Sequence, residues 1–292
     1  MGSSISKPRA GPMTDQSGSD HRSSPRLDET DFLVVDVETT GLSAEGGDRV
    51  CEVGAVKLRG GAIVATLGTL IDPRRPISNG AYAVNHISPE MLRNAPVFTD
   101  VAERLWGMME NSILVAYNAP FDLSFLAAEF RLLGYPPIVH PVVDALAIAR
   151  RLLPGLERYP QGHVARILGI GDPVQHRALE DAMVTAKIFT IFSSILKAYD
   201  CTAVGDLNRR DLIELLHNRR MSILTDALSS ARDVWIKYLS TSSGEISDRI
   251  VSPKEFSGKA RYLIAYCHTA KGERDFRIDR ILDLRLMDSK SV

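Results

Sequence analysis

The sequence predicts an α/β fold followed by a smaller all-β one: a mixed sheet covered by helices on both faces, then a helical segment, then a module of short strands. Three observations lead there. Strand-like runs come first and then alternate with helical stretches, an order that produces a mixed sheet. After about residue 200 apolar residues recur at helical spacing, and short strands separated by Gly, Ser and Pro follow. The length of 292 residues exceeds the roughly 100 to 200 of an ordinary domain, so two domains or one with appendages are expected.

Taken in order, residues 1–30 are rich in Ser, Gly, Pro and charge, with Met1, Ile5, Met13 and Leu27 as the sizeable apolar side chains. That is too little to offset backbone ordering and predicts a disordered tail. Without an apolar core segment the tail is no signal peptide. Met1-Gly2-Ser3-Ser4-Ile5-Ser6 satisfies the permissive N-myristoylation pattern, but a plain Ser-rich start is the preferred reading. Phe32 to Val37 is a β-branched strand closed by a Thr-Thr-Gly turn. Val50 to Leu58 and Ile63 to Ile71 flank Gly60-Gly61, a pair permitting the positive φ angles of a tight hairpin. Then come a helix around Val97 to Met109, a strand at Ile113 to Ala116 and a helix from about Phe121 to Leu133. A strand near Val142 and Val143 leads to helices at Ala145 to Leu152, Gly162 to Leu168 and Leu179 to Leu196.

Beyond Asp200, Asn208 is read as the cap of a helix carrying Leu212, Ile213, Leu215 and Leu216, with a second helix over Ile223 to Ala231. Val234 to Leu239, Ile246 to Val251, Arg261 to Cys267, Phe276 to Ile278 and Ile281 to Leu286 read as strands. The expected division is a tail over 1–30, an α/β domain over 31–199, a helical linker over 200–224 and a β domain over 225–288.

Composition excludes several classes. No apolar run approaches the roughly 20 residues of a membrane helix, so no membrane partner is expected. Cys51, Cys201 and Cys267 are far apart and odd in number, which offers neither a disulfide scaffold nor a closed cysteine zinc site, and a cytoplasmic location is the default. The formal charge of −1 shows no strongly basic footprint. Residues 204–292, however, carry 16 Lys plus Arg against 13 Asp plus Glu, leaving 19 against 23 for residues 1–203. An acidic lobe suits a cation site and a basic one suits phosphate.

The chemistry is concentrated in carboxylates. Asp36 and Glu38 interrupt an apolar strand at i, i+2, which puts both on one face, where burial without a counter-cation would cost several kcal/mol. The competing reading is that the strand stops near Asp36 and leaves both in water. Asp122 follows a second strand in the first turn of a helix, where an acidic residue also suits the helix dipole. In His176-Arg177-Ala178-Leu179-Glu180-Asp181, the five-residue spacing does not stack His176 on Asp181, so His176 is placed before the long helix and Asp181 within it. Four hard carboxylates and one histidine fit two divalent cations, Mg²⁺ or Mn²⁺, better than zinc, and such ions suit phosphodiester cleavage with the histidine as proton acceptor.

Asp36-Val37-Glu38-Thr39-Thr40-Gly41, Asn118-Ala119-Pro120-Phe121-Asp122 and His176-Arg177-Ala178-Leu179-Glu180-Asp181 together resemble the three motifs of the DEDDh, or DnaQ-like, 3′ to 5′ exonucleases over residues 31 to about 199. The resemblance implies an RNase H-like fold with a five-stranded mixed sheet. It also implies that Asp36, Glu38, Asp122 and Asp181 are metal ligands with His176 as general base. Glu52-Val53-Gly54-Ala55-Val56 and Val143-Asp144-Ala145-Leu146 agree with it. Tyr117 stands where many relatives have His, and Val84-Asn85-His86-Ile87 replaces a frequent Val-His-Gly-Ile. Thr39, Thr40, Gly41, Leu42, Asn85 and Asn118 are the candidate contacts to the terminal nucleotide.

Val234-Trp235-Ile236-Lys237-Tyr238, Arg249 to Pro253, Arg261 to Cys267 and Arg274 to Ile281 resemble a WYL domain over about Thr225 to Met287, with Arg261 in place of the name-giving Trp. The likeness implies a small SH3-like β-barrel that binds nucleic acid or a ligand. Arg261, Arg277 and Arg280 are the candidate accessory contacts, and Phe276 is assigned to the core. Arg209-Arg210 and Arg219-Arg220 on the connecting helix could extend a basic path, but a solvated helix face is the preferred reading.

The expected function is a metal-dependent 3′ to 5′ exonuclease that takes single-stranded nucleic acid with a free 3′ end, DNA first, and releases nucleoside monophosphates, an activity that DNA repair, proofreading or RNA turnover could use. An exoribonuclease is the alternative, since the discriminating 2′-hydroxyl contact cannot be read from the sequence. A WYL-type regulator that merely binds nucleic acid is the alternative from another class, and it has no need of all five residues.

Overall fold

The computed structural model describes residues 24–171, 176–240 and 244–288. The N-myristoylation pattern lies outside the described residues. Of the expected tail, residues 24–30 belong to the fold. Leu27 is 4% exposed and donates its N–H to the Thr202 carbonyl, while Val204 donates to Pro25 and Arg26 bridges Ala203. Distant chain supplies these partners, which local composition could not reveal.

The first three strands, β1 (Asp31–Thr39), β2 (Val50–Arg59) and β3 (Ala62–Leu70), form an antiparallel meander. Gly60 and Gly61 turn the hairpin with φ of 58° and 84°, as their lack of a Cβ allows. Two short helices follow, α1 (Asn79–Asn85) and α2 (Pro89–Leu92), each capped by a serine, Ser78 and Ser88, that accepts from a backbone N–H. Sequence reading missed both, because seven and four residues give no periodicity to read. Then come α3 (Phe98–Met109), β4 (Ser112–Ala116), α4 (Ala119–Leu132), β5 (Val142–Asp144), α5 (Ala145–Leu152), α6 (Gln161–Ile167) and α7 (Ala178–Ala198). The sheet order is β3-β2-β1-β4-β5, with β4 and β5 parallel to β1. This is the mixed five-stranded sheet between helices of an RNase H-like fold. Its parallel half gathers the C-terminal ends of β1, β4 and β5, where loops and helix starts present side chains.

After α8 (Val204–Leu207), a single helix α9 spans Leu212–Ser229. The two helices expected here are therefore one, since no Gly or Pro lies between them. Asn208 does not cap it; Asp211 precedes the first turn, and the Asn208 amide donates to the Val142 carbonyl. The β-module is all antiparallel: β6 (Val234–Ser240), β7 (Glu245–Ser257), β8 (Tyr262–Cys267), β9 (Gly272–Arg277) and β10 (Ile281–Leu286), in the order β10-β6-β7-β8-β9. A 3-10 turn, Ile278–Arg280, joins its edge strands. Phe276 is buried against Tyr238, ring centroids 5.1 Å apart.

One hydrophobic core runs through both halves. Phe189, Phe192 and Leu196 of α7, Leu216 and Leu224 of α9, and Ile281 and Leu284 of β10 belong to the same buried cluster. Arg220, expected in solvent, is 4% exposed: its guanidinium donates to the Ile281 carbonyl at 2.7 Å and lies over the Tyr199 ring. Tyr199 donates its hydroxyl to the same carbonyl at 2.9 Å. A buried cation with defined acceptors fixes one docking geometry. No helix among the described residues is long and apolar enough to cross a membrane.

Candidate active site

β1 does not stop at Asp36. It pairs with β2 through Thr39, so both Asp36 and Glu38 stay on the strand, opposite Gly54 and Glu52. Glycine at position 54 is required, because a Cβ there would lie 2.1 Å from the Ala178 carbonyl oxygen. That close approach lets α7 begin directly against β2, beside Asp36, and it sets Asp181 in the first turn of α7 facing β1. From the parallel side, α4 starts beyond β4 and places Asp122 so that its Oδ1 accepts from the Val37 N–H at 3.0 Å. Asp144 caps α5 and accepts from both Leu146 and Asn118 N–H groups, fixing the α4 entry, where Asn118 adopts φ 70°.

His176 lies before α7, as its spacing predicts, with φ 67°. Its N–H donates to Asp181 Oδ2 at 2.8 Å. On the other side, Glu52, 4% exposed, receives the Arg177 guanidinium at 2.7 Å and the Ala178 N–H at 3.2 Å. The histidine is thus held between two carboxylate anchors. Glu52 belongs to a quoted sequence segment, but its pairing with Arg177 joins residues 125 positions apart, which the sequence alone could not show.

Asp36, Glu38, Asp122, His176 and Asp181 all line one cavity of about 260 Å³, together with Tyr117, Asn118 and Gln161. One ligand atom each from Glu38, His176 and Asp181 lies within 4.8 Å of the others. Burial, then the neighbouring charges of Asp122, Asp181, Glu38 and Glu52, holds Asp36 well above the ordinary carboxyl range. Burial and Asp181 push Glu38 to about 7. Burial likewise pushes Asp122 to about 7, against the Val37 N–H that favours its anion, and raises Asp181. Among the described residues none of the four is in an ion pair, and Asp181 Oδ1 is buried with no hydrogen-bond partner. Hard carboxylate oxygens with an orphaned acceptor and no ion pair of their own fit divalent metal ions.

The candidate nucleotide contacts divide. Asn118 is exposed on the cavity wall, whereas Leu42, 87% exposed, does not line the cavity. Thr40 is buried, its hydroxyl donating to Asp48 and accepting from the Arg49 N–H, and the Thr39 hydroxyl donates to the Gly41 carbonyl. A Cβ at Gly41 would collide with the Asp48 carboxylate, so this glycine shapes the turn. Asn85 is 3% exposed: its amide donates to the Thr39 carbonyl and its Oδ1 accepts from Ile87. It braces the end of β1 from within. Tyr117 donates its hydroxyl to the Tyr159 carbonyl at 2.6 Å, tying the loop before α6 to the cavity wall. In the β-module Arg261 is exposed, Arg277 pairs with Asp279, and Arg280 is half-buried with its Nε unpartnered. None of these three lines the carboxylate cavity.

Residues 33–189 match the Exonuclease family of the RNase T type, and residues 219–286 match the WYL domain. Over 161 residues the chain is 40% identical to the DNA polymerase III subunit epsilon of Treponema pallidum, covering 54% of this chain and 74% of that protein. It is 39% identical over 184 residues to the PolC-type DNA polymerase III of Thermotoga maritima, which is 63% of this chain but 13% of the polymerase. In fold it resembles the crystal structure of E. coli Exonuclease I in complex with a dA16 oligonucleotide, with a TM-score of 0.51, 15% identity, and coverage of 89% of this chain and 63% of that one.

Proposed function

Since the chain belongs to the RNase T-type Exonuclease family, in its DEDDh branch, and is a 3′ to 5′ exonuclease acting on nucleic acid, we propose that it removes nucleoside 5′-monophosphates one at a time from single-stranded DNA. The observation that carries this reading is the convergence of Asp36, Glu38, Asp122, His176 and Asp181 on one cavity with a buried, unpartnered carboxylate oxygen. Divalent metal ions serve this family; here we assign two, Mg²⁺ or Mn²⁺, to Asp36, Glu38, Asp122 and Asp181. When bound, they supply an activated water and stabilise charge on the departing oxygen.

His176 takes the proton of the attacking water on an imidazole nitrogen. The new bond is from that water oxygen to phosphorus, and the bond broken is from phosphorus to the 3′ oxygen of the preceding nucleotide. The 3′ oxygen picks up a solvent proton, and the released nucleotide keeps the 5′-phosphate. The bonds from Asp181 to the His176 backbone N–H and from Glu52 to Arg177 and Ala178 fix the piece of backbone that carries the imidazole before substrate arrives. Leu42 and Asn118 flank the terminal nucleotide, one by apolar contact and one by polar.

DNA is favoured by the relatives, which are named as DNA polymerase III components, and by the fold neighbour solved with a dA16 oligonucleotide. The test supplies equal concentrations of single-stranded DNA and RNA of one sequence with Mg²⁺ or Mn²⁺ and analyses the products by chromatography. Deoxynucleoside 5′-monophosphates in excess are expected. Faster release of ribonucleotides would assign the enzyme to RNA.

A further inference from the structure

A second site lies where the two halves of the molecule meet. Two adjoining cavities, of about 440 and 520 Å³, are both lined by His217 and Asp279 and together make up a junction cleft. Arg150 comes to it from α5, Arg210 from the turn just before α9, and Lys259 and Arg261 from the turn between β7 and β8. These four side chains are exposed, and none has an ion pair among the described residues. Asp279 is answered by Arg277, while Asp211 and Glu214 on the rim are outnumbered by the cations. Ile213, 56% exposed, adds an apolar surface to the same wall. Lys259 and Ala260 both hold positive φ, 56° and 58°, in the turn that carries Lys259 into the cleft.

The cleft is joined to the carboxylate cavity by a short piece of chain. Pro154 lines the cleft and Pro160 lines the cavity, so the two points are at most about 20 Å apart along six residues. The Arg150 charge is also felt at Tyr117, on the cavity wall.

We propose that this junction cleft binds the phosphodiester backbone of a single nucleic-acid strand some nucleotides upstream of the 3′ end held at the carboxylates. Exposed cations spread along the cleft with an apolar surface among them match a chain of phosphates carrying bases, and they match an isolated inorganic anion less well. Its role in retaining substrate rests on the exonuclease reading, whereas binding itself does not.

The test compares the full-length protein with its Arg210→Ala/Lys259→Ala double variant. Equilibrium binding of a fluorescent 20-nucleotide single strand, in EDTA across a salt series, reads the cleft independently of catalysis. Loss of two phosphate contacts lowers the slope of log affinity against log salt by about 1.4 and weakens binding several-fold at low salt. Hydrolysis of the p-nitrophenyl ester of thymidine 5′-monophosphate, too short to reach the cleft, stays at the wild-type rate. Equal binding slopes for the two proteins overturn the proposal, as does an equal loss with the short ester. Tighter competition by a mononucleotide than by the strand, lost in the variant, overturns it in favour of a small-ligand site. Failure of both proteins to cleave the ester or the strand instead sinks the exonuclease reading and leaves the binding comparison standing.

Discussion

The carboxylate cavity and the junction cleft gather charge in opposite ways. In the cavity four acids from β1, α4 and α7 are packed out of water and close to one another, and burial first, with neighbouring acidic charge second, holds Glu38 and Asp122 near 7. In the cleft, exposed arginine and lysine from three elements lie apart in water. Buried like charge is costly and demands a counter-ion, so it marks a place where chemistry depends on a bound cation. Exposed like charge costs little and marks a place where a polyanion can dock and slide. Changes in the first should alter the chemical step, and changes in the second should alter retention and salt dependence.

The largest expected effect breaks the cavity. Asp36→Asn removes one of the four acids and should lower 3′ end cleavage on the order of 10³-fold or more, with circular dichroism and strand binding in EDTA unchanged. A comparable loss of strand binding in EDTA would show that the two regions are not separable.

A smaller effect is expected at the positioning pair. Glu52 does not line the cavity; it acts through Arg177 and Ala178 on His176. Glu52→Gln should lower kcat about 10- to 100-fold with KM nearly unchanged. The pH profile of kcat should shift, and Glu52→Asp should restore part of the rate. A loss of rate with an unaltered pH profile and no rescue would reduce Glu52 to a support of the fold.

The smallest effect concerns stability. Glu38 and Asp122 are raised to about 7 from ordinary values of 4.5 and 3.8, so the folded chain binds their protons more tightly than the unfolded chain. Stability from these groups is present at low pH and is lost as pH rises from about 4 to beyond 7. Mn²⁺ at pH 8, about 100-fold above its Kd, should raise Tm by about 5 to 10 °C, and much less at pH 5. An equal gain at both pH values would mean that the ion binds elsewhere.

Much of this was legible in the chain because the same physics writes both sequence and structure. Asp36 and Glu38 stand out since two acids in an apolar strand need a reason, and α5 and β10 match their expected ranges because their apolar pattern is unbroken. Other features depend on distant partners. Leu27 is ordered by residues near Thr202, Arg220 is buried by β10, and Glu52 finds Arg177 across the sheet. Thr40 and Asn85 are nominated as nucleotide contacts by the family resemblance, and the sequence alone does not show that the Thr40 hydroxyl and the Asn85 amide also brace the turn. Among the cleft residues, Arg261 is nominated by the sequence as an accessory contact and Arg210 as part of a basic path, but only the docking of the β-module brings them together with Arg150 and Lys259.

The most direct test of the central claim incubates the full-length protein with a 5′-labelled single-stranded oligonucleotide and Mg²⁺ or Mn²⁺, with EDTA and Asp181→Asn controls. The account predicts a ladder shortening stepwise from the 3′ end, absent with EDTA and with the variant. A ladder that persists in EDTA or in the variant, or no shortening with either metal, would contradict it.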